Sequence, residues 1–463
     1  MQELPLRPAA RMITTIGKDL IKDIPASIVE LVKNSYDADA EDVEINFSKY
    51  MEGKETKISI EIKDNGHGMD LYTITNAWLV PATSNKLNLK HSKKKKRVLQ
   101  GRKGIGRYSA AILGNYLQME TVHEKVKTLV YVNWDDFEEK EFLEDVRVEV
   151  ETSNVDEPNG TLLRIIGDNQ YFDLWNNKEL KNLEKELRKL VSPFQNAFKE
   201  DRFEIKFNTT NFIDDSETYY NYKTVIEPLP IVEMYNYRLF GHITDEGIAY
   251  LNFENNSLDV KQHEVIDPFK VGLDEEKERY CGKIEMDLRV FDLDTANLES
   301  LQQKLTNTVD LTFNRREVTA KLKELTGIGI YRGGFRIRPH GDKGFDWLGL
   351  DSRRVQNPSM RVGVDQIIGY VSILPEEVSK LEEKSARDGL KENAYFEGLQ
   401  KQVIAALKEL EEVGVIHREV MDTSPPTVEY SLTELGRELQ PAIAAIVSVG
   451  QKLKMKKAGR KTQ

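Results

Sequence analysis

Three glycine-punctuated stretches set the limits on what this chain can fold into: "DNGHGM" (Asp64–Met69), "GRKGIGRY" (Gly101–Tyr108) and "NGT" (Asn159–Thr161). Each adjoins a predicted strand or helix, where glycine lets backbone pass close to another group. Asp64 ends the alternating run "TKISIEIKD", in which Ile58, Ile60 and Ile62 share one face of a predicted strand, and Asn65-Gly66 is a turn signal. A carboxylate at that strand end can accept from an exocyclic amine, and Gly66 and Gly68 admit a flat ligand. The acids are too few for an EF-hand loop, which needs several more oxygen ligands at fixed spacing. Gly101, Gly104 and Gly106 lead into a predicted helix, so bare amides there make an anion cradle, with Lys103 and Arg107 adding charge. The spacing G-x-x-G-x-G followed by Arg-Tyr is neither a Walker A loop nor a dinucleotide fingerprint. Thr161 opens an apolar strand, where its hydroxyl could reach the same amine as Asp64 through a water.

Ahead of these lies "ELVKNSYDADA" (Glu30–Ala40). Glu30, Asn34 and Asp37 fall four and three residues apart, on one face of a predicted helix, and Ile28, Leu31 and Val32 can cover the other side. A carboxylate and an amide oxygen on adjacent turns suit a hard divalent cation with a water held beside it. Alone, the pattern more often marks an amphipathic helix with a solvated polar stripe.

The chain has 463 residues, enough for two or three domains, and 39% hydrophobic with 31% charged residues is an ordinary globular balance. A net charge of −11 argues against a chain-wide pull toward nucleic acid, leaving "HSKKKKR" (His91–Arg97) and "KLKMKKAGRK" (Lys452–Lys461) as local basic runs. The single cysteine, Cys281, excludes an intrachain disulfide and a cysteine-built zinc site. No signal-peptide core and no apolar run of about 18 residues occur, so a cytoplasmic protein without a membrane partner is expected. Helices and strands alternate irregularly, which predicts a layered α/β or α+β arrangement, and α+β is the class expected for the whole chain. The expected division is 1–210, 211–398 and 399–463.

Acidic helix, D-x-G-x-G turn, glycine lid and G-T strand, in this order, resemble the Bergerat-fold or GHKL ATPases, among them gyrase B, Hsp90, sensor histidine kinases, MutL and MORC proteins. The resemblance implies an N-terminal α/β sandwich, helices on a mixed sheet, that takes ATP and Mg²⁺. By matched position, Glu30 is the general base that activates water and Asn34 the Mg²⁺ ligand. Asp64 recognises the adenine amino group, with Gly66, Gly68, Met69 and Thr161 around the base. Gly101, Lys103, Gly104, Ile105 and Gly106 wrap the triphosphate, and Asp37 and Ala38 lie beside the nucleotide. A histidine kinase carries its phosphoacceptor upstream of this domain, whereas the first histidine here, His67, lies in the D-x-G-x-G turn. Slow hydrolysis is therefore expected, with ATP closing a lid and joining two copies into a homodimer.

Residues 5–400 further resemble bacterial MORC/Hsp90-like ATPases through "ATSNK" (Ala82–Lys86), Tyr331–Pro358 and Ser385–Leu399. This implies a transducer-like α/β second domain, with Lys86 as a phosphate contact and Lys343, Arg353 and Arg354 as candidate γ-phosphate sensors. Ala406–Ile446 resembles the second half of an HxlR-type winged-helix regulator, which implies a small partial winged helix that contacts DNA or dimerises the chain. The function expected is an ATPase acting on DNA or a DNA-bound partner. The alternatives are a nucleotide-sensing transcription regulator with little turnover, or an Hsp90-like chaperone.

Overall fold

The computed structural model describes residues 7–19, 24–81, 91–100, 106–190, 203–213, 219–257, 261–309, 314–356, 361–384, 389–413, 419–421 and 427–429. Lys86, Gly101, Lys103, Gly104, Ile105 and the basic tail from Lys452 lie outside the described residues. Two mixed eight-stranded sheets with helices packed on them make an α+β architecture, and a separate two-stranded hairpin follows. No described helix is long and apolar enough to cross a membrane.

The first sheet is built from β1 (Asp42–Glu52), β2 (Glu55–Asp64), β3 (Tyr116–His123), β4 (Val126–Asn133), β5 (Glu149–Asn154), β6 (Gly160–Gly167), β7 (Glu204–Ile213) and β8 (Tyr219–Val225). Their order is β5-β4-β3-β6-β2-β1-β7-β8, antiparallel throughout except for the parallel β1/β7 pair. The sheet therefore extends past residue 210. Period-two alternation turns Val43, Ile45 and Phe47 of β1 and Ile58, Ile60 and Ile62 of β2 to one face, where Ile45 pairs with Ile62 and Phe47 with Ile60. That face is covered by α1 (Met12–Asp19), α2 (Ile24–Asp37) and α3 (Asn177–Leu190). In α3 the apolar stripe Leu180, Leu183, Leu187 and Leu190 is fully used. Pro25 stands in the first turn of α2, where its missing N–H has no helical partner to lose.

The second sheet contains β9 (Tyr237–Ile243), β10 (Ile248–Asn255), β11 (Gln262–Val265), β12 (Phe269–Lys270), β13 (Ile284–Val290), β14 (Gly327–Arg332), β15 (Phe335–Ile337) and β16 (Ile367–Ile373). It is covered on both faces, which is why β13 and β16 read as near-continuous apolar runs. α4 (Thr295–Val309) and α5 (Arg315–Leu325), the latter started by an Asn314/Glu317 capping box, pack on Tyr331, Ile368 and Tyr370. α6 (Leu350–Gln356) lies at the rim, and α7 (Ala394–Val413) buries Leu399, Val403, Ala406, Leu407 and Leu410 on the opposite face. α7 thus runs across residue 399 and is part of this second core. Beyond it, β17 (Glu419–Met421) and β18 (Thr427–Glu429) form an antiparallel hairpin at the position predicted for the wing.

The β14–β15 turn joins the two units. Gly333 and Gly334, at φ 57° and 81°, make a two-residue turn whose left-handed backbone glycine adopts at little cost. Its tip reaches α2: the Tyr36 hydroxyl donates to Gly333 O at 2.9 Å, and the Phe335 ring packs on Tyr36 with centroids 4.3 Å apart. Behind it, Arg336 pairs with Asp342 at 2.7 Å and Glu186 at 3.5 Å, and Arg338 pairs with Glu186 at 3.4 Å.

Candidate functional site

On α2, Ser35 faces the first sheet and Asp37 holds the segment that follows Arg97. Glu30 is 9% exposed, Ser35 3% and Asp37 7%, so the helix carries no solvated polar stripe on this side. Burying such groups needs partners, and each has them. The Ser35 hydroxyl donates to Asp64 Oδ2 at 2.9 Å, and Gln100 N donates to Asp37 Oδ1 at 2.7 Å. Lys33 donates to Glu30 Oε1 at 3.2 Å. Asn34, one turn beyond Glu30, is half-buried and also engaged.

Sheet register assembles the second wall. Asp64 pairs with Thr161 across β2/β6, and Thr161 pairs with Thr121 across β6/β3, so three distant residues form one row. The Thr121 and Thr161 hydroxyls are 3.1 Å apart, and Thr121 Oγ1 also accepts from Met69 N at 2.9 Å. Asp64 accepts from Ser35, from Gly66 N at 2.9 Å and from the Thr161 amide. A carboxylate offers about four lone-pair positions, so one remains for a further donor. Burial pushes the Asp64 carboxyl up to about 6, against the lowering effect of those three donors.

The glycines of this wall are there for space. A Cβ on Gly66 would meet Ala38 O at 2.7 Å and Asp64 Oδ1 at 3.0 Å, and one on Gly160 would meet Asp64 O at 2.4 Å. Gly68 has φ +65°, and its Cβ would lie 1.9 Å from Val122 O. Gly68→Ala is expected to lower stability by at least ~2 kcal/mol in chemical denaturation, combining left-handed strain with backbone overlap. An unchanged midpoint would contradict this geometry.

The segment that leads to the glycine lid is fixed to the end of α2. Asp39, at φ 63°, accepts from the amides of Lys94 and Lys95 at 2.8 and 3.2 Å. Burial opposes its charge, yet the Ser92 hydroxyl and those two amides hold its carboxyl below the usual range. Arg97 is 4% exposed, donates to Tyr36 O at 3.1 Å and Ala40 O at 2.6 Å, and stacks over the Tyr36 ring. Lys95 pairs with Glu41 at 3.0 Å. Part of the run "HSKKKKR" is thus internal structure. Gly106 begins the 3₁₀ helix Gly106–Ile112.

Arg353 pairs with Glu411 at 3.6 Å, Arg354 with Asp365 at 3.1 Å, and Lys343 is exposed. Both arginines are engaged within the second unit, Arg353 with α7 and Arg354 with the short turn before β16. Arg336, on β15, and Arg338, just after it, join Lys33 and Arg97 as cations near this site. Burial lowers the Lys33 ammonium below its ordinary range; Glu383 and Asp37 pull the other way, and Arg338 and Arg336 reinforce the lowering. Ser35, Thr121, Lys33 and Arg336 are the site residues that motif reading passes over.

A family profile described as histidine kinase-, DNA gyrase B-, and HSP90-like ATPase matches residues 24–161, the span from α2 to Thr161. Residues 24–161 are a GHKL-type ATPase domain. The row Ser35–Asp64–Thr161–Thr121 and the Gly66 and Gly68 turns all belong to this GHKL-type domain. A second profile, HxlR-like helix-turn-helix, matches residues 382–458. That match begins earlier than expected and includes all of α7, whose apolar side is committed to the second core. Among curated relatives, the HTH-type transcriptional regulator YdeP of Bacillus subtilis is 53% identical over 55 residues, 12% of this chain and 43% of that protein. YybR of the same organism is 46% identical over 52 residues, 11% of this chain and 42% of that protein. A Synechocystis regulator is 46% identical over 50 residues, 11% of this chain and 37% of its own length. The chain therefore spans less than half the length of the curated relatives it matches.

Proposed function

We propose that the GHKL-type domain binds ATP between α2 and the ends of β2, β6 and β3, hydrolyses it slowly, and uses the bound state to act on DNA or a DNA-bound partner. The observation that carries this reading is the half-buried carboxylate of Asp64, held by Ser35, Gly66 and Thr161 with an acceptor position left over. In this reading Asp64 accepts from the adenine amine, and Thr161 and Thr121 order a water beside it. Gly66, Gly68 and Met69 leave room for the ring, with Ala38 against Gly66. Gly101, Lys103, Gly104, Ile105 and Gly106 enclose the phosphates, and Asp37 anchors the residue that precedes them. Lys86 is a further phosphate contact in this scheme.

Glu30 accepts the proton of the attacking water, and its ion pair with Lys33 limits that role until Lys33 moves. The half-buried amide of Asn34, one turn away, fits a cation that keeps most of its own waters and takes few protein ligands. Bound Mg²⁺ would offset triphosphate charge there. Arg336 and Arg338 reach the same end of α2 from the second unit, so a bound triphosphate would be felt across the junction. Closure and homodimerisation follow if the γ-phosphate meets both units only in the closed state. We divide the chain accordingly into a GHKL unit to about Val225, a transducer-like unit to the end of α7, and the HxlR-like hairpin and tail, which overlaps α7 in sequence.

ATP turnover and oligomeric mass, measured together with ATP and with a non-hydrolysable analogue, test the scheme. Magnesium-dependent turnover with a doubled mass in the analogue supports it; absent nucleotide binding removes it. DNA retention is tested with a chain ending at Val413, because an earlier cut would strip Ala406, Leu407 and Leu410 from the second core. The truncated chain is expected to lose salt-dependent retention. Equal retention with and without residues 414–463 removes the nucleic-acid role. The HxlR-like match favours one second reading, a nucleotide-sensing regulator, in which DNA retention responds to ATP with turnover near zero.

A further inference from the structure

A second recess in the first unit is unrelated to the Asp64 wall. It is a cavity of about 280 Å³, and Ile13, Trp78, Tyr108, Trp134, Phe137 and Arg147 are among the residues around it. Its walls are mainly apolar and aromatic, the lining that small-molecule sites share. Two polar features stand out. Arg147, exposed at the rim, spends only Nη1 on the backbone, donating to Glu144 O at 2.5 Å and Val146 O at 3.3 Å. No carboxylate among the described residues pairs with it. The indole N–H of Trp134, a residue 4% exposed, has no hydrogen-bond partner among the described residues. A third feature is the backbone of one wall. Ile74–Trp78 is a π-helical turn, closed by Leu79 N donating to Ile74 O at 2.8 Å, and it delivers Trp78 and Leu79 to the cavity. Such turns are rare and are frequently found at functional sites.

We propose that this cavity binds a compact aromatic carboxylic acid, its rings among the tryptophans and its carboxylate on Arg147. A cavity of about 150 Å³ holds benzene, so this one suits roughly two fused rings. An arginine with unused donors is the group that turns an apolar recess into an acid-selective one. The walls also flank the nucleotide segment. Pro81 precedes residues 82–90, and Tyr108 follows Gly106 by two positions on the 3₁₀ helix. Occupancy is therefore expected to change affinity for ADP, and ADP to change affinity for the acid by the same factor.

Calorimetry on the full chain with 2-naphthoate, and with naphthalene-2-carboxamide as its uncharged counterpart, tests the proposal. One site per chain is expected, at least fivefold tighter for the acid than for the amide. Arg147→Gln should bring the two to equal affinity, and Val148→Phe, which fills the cavity, should weaken both at least tenfold without moving the melting temperature. The cavity proposal is overturned if the parent chain shows no saturable binding up to about 1 mM acid. It is equally overturned if acid and amide bind alike, or if Val148→Phe binds as the parent does. A change in oligomeric mass in place of lost binding would make the cavity a contact between copies and end the ligand proposal. The coupling to ADP rests on the nucleotide reading, so acid binding with ADP affinity shifted less than threefold overturns the coupling alone.

Discussion

Replacing Glu30 with alanine is expected to lower ATP hydrolysis about 10²–10³-fold while nucleotide affinity stays within about threefold, as for a group that acts mainly on a proton in flight. The expectation rests on position. Glu30 is 9% exposed and stands one turn before Asn34 on the helix whose Ser35 holds Asp64. It also pairs with Lys33 at 3.2 Å, so alanine removes a partner from an ammonium that burial already disfavours. Loss of activity by alanine alone could therefore reflect a rearranged α2. Glu30→Gln separates the causes: its amide oxygen still accepts from Lys33, but it cannot take a proton. Both variants should lose turnover, and only alanine should melt lower. Glutamine retaining more than a tenth of parental turnover would remove Glu30 from the chemistry.

Much of this site is legible in the sequence because its parts are local. The β2 alternation ending at Asp64, the Asn65-Gly66 turn and the α2 face of Glu30, Asn34 and Asp37 each need only a few consecutive residues to be read. What escapes is whatever sheet pairing supplies. Thr121 lies inside the ordinary strand "YLQMETVH" and joins the site only because β3 pairs with β6 in the register that sets it against Thr161. Ser35 sits within the very stretch that identifies the helix, but a small hydroxyl between Asn34 and Tyr36 gives no signal until Asp64 is opposite. The junction is half legible. "YRGGF" announces a glycine turn, yet only the tertiary contact of Phe335 with Tyr36 shows that Arg336 and Arg338, and not Arg353 and Arg354, approach α2. α7 is half legible for the same reason. Its sequence matches an HxlR-like helix-turn-helix family, and only the tertiary contacts show that its apolar side also closes the second core.

Asp64→Asn should separate stability from function in opposite directions. Its carboxyl is raised from 3.8 to about 6, chiefly by burial, so the folded state holds that proton more tightly than the unfolded one. Stability contributed by this group is therefore greatest in acid and is lost as pH rises from 3.8 through about 6, staying low above it. Asparagine is not ionised and escapes that loss. Two pKa units correspond to roughly 3 kcal/mol at most, and the weaker hydrogen bonds an amide accepts from Ser35, Gly66 and Thr161 offset part of it. A gain of about 1–2 kcal/mol at neutral pH, vanishing near pH 4, is the expected result in denaturation run at both pH values. Nucleotide affinity should move the other way, falling about 10- to 150-fold, as expected when a charged acceptor is taken from a buried donor. In the parent chain the same affinity should decline as pH drops through about 6, and in the variant it should be flat across that range. A variant that binds ATP as the parent does would take the adenine-recognition role from Asp64, whatever its stability.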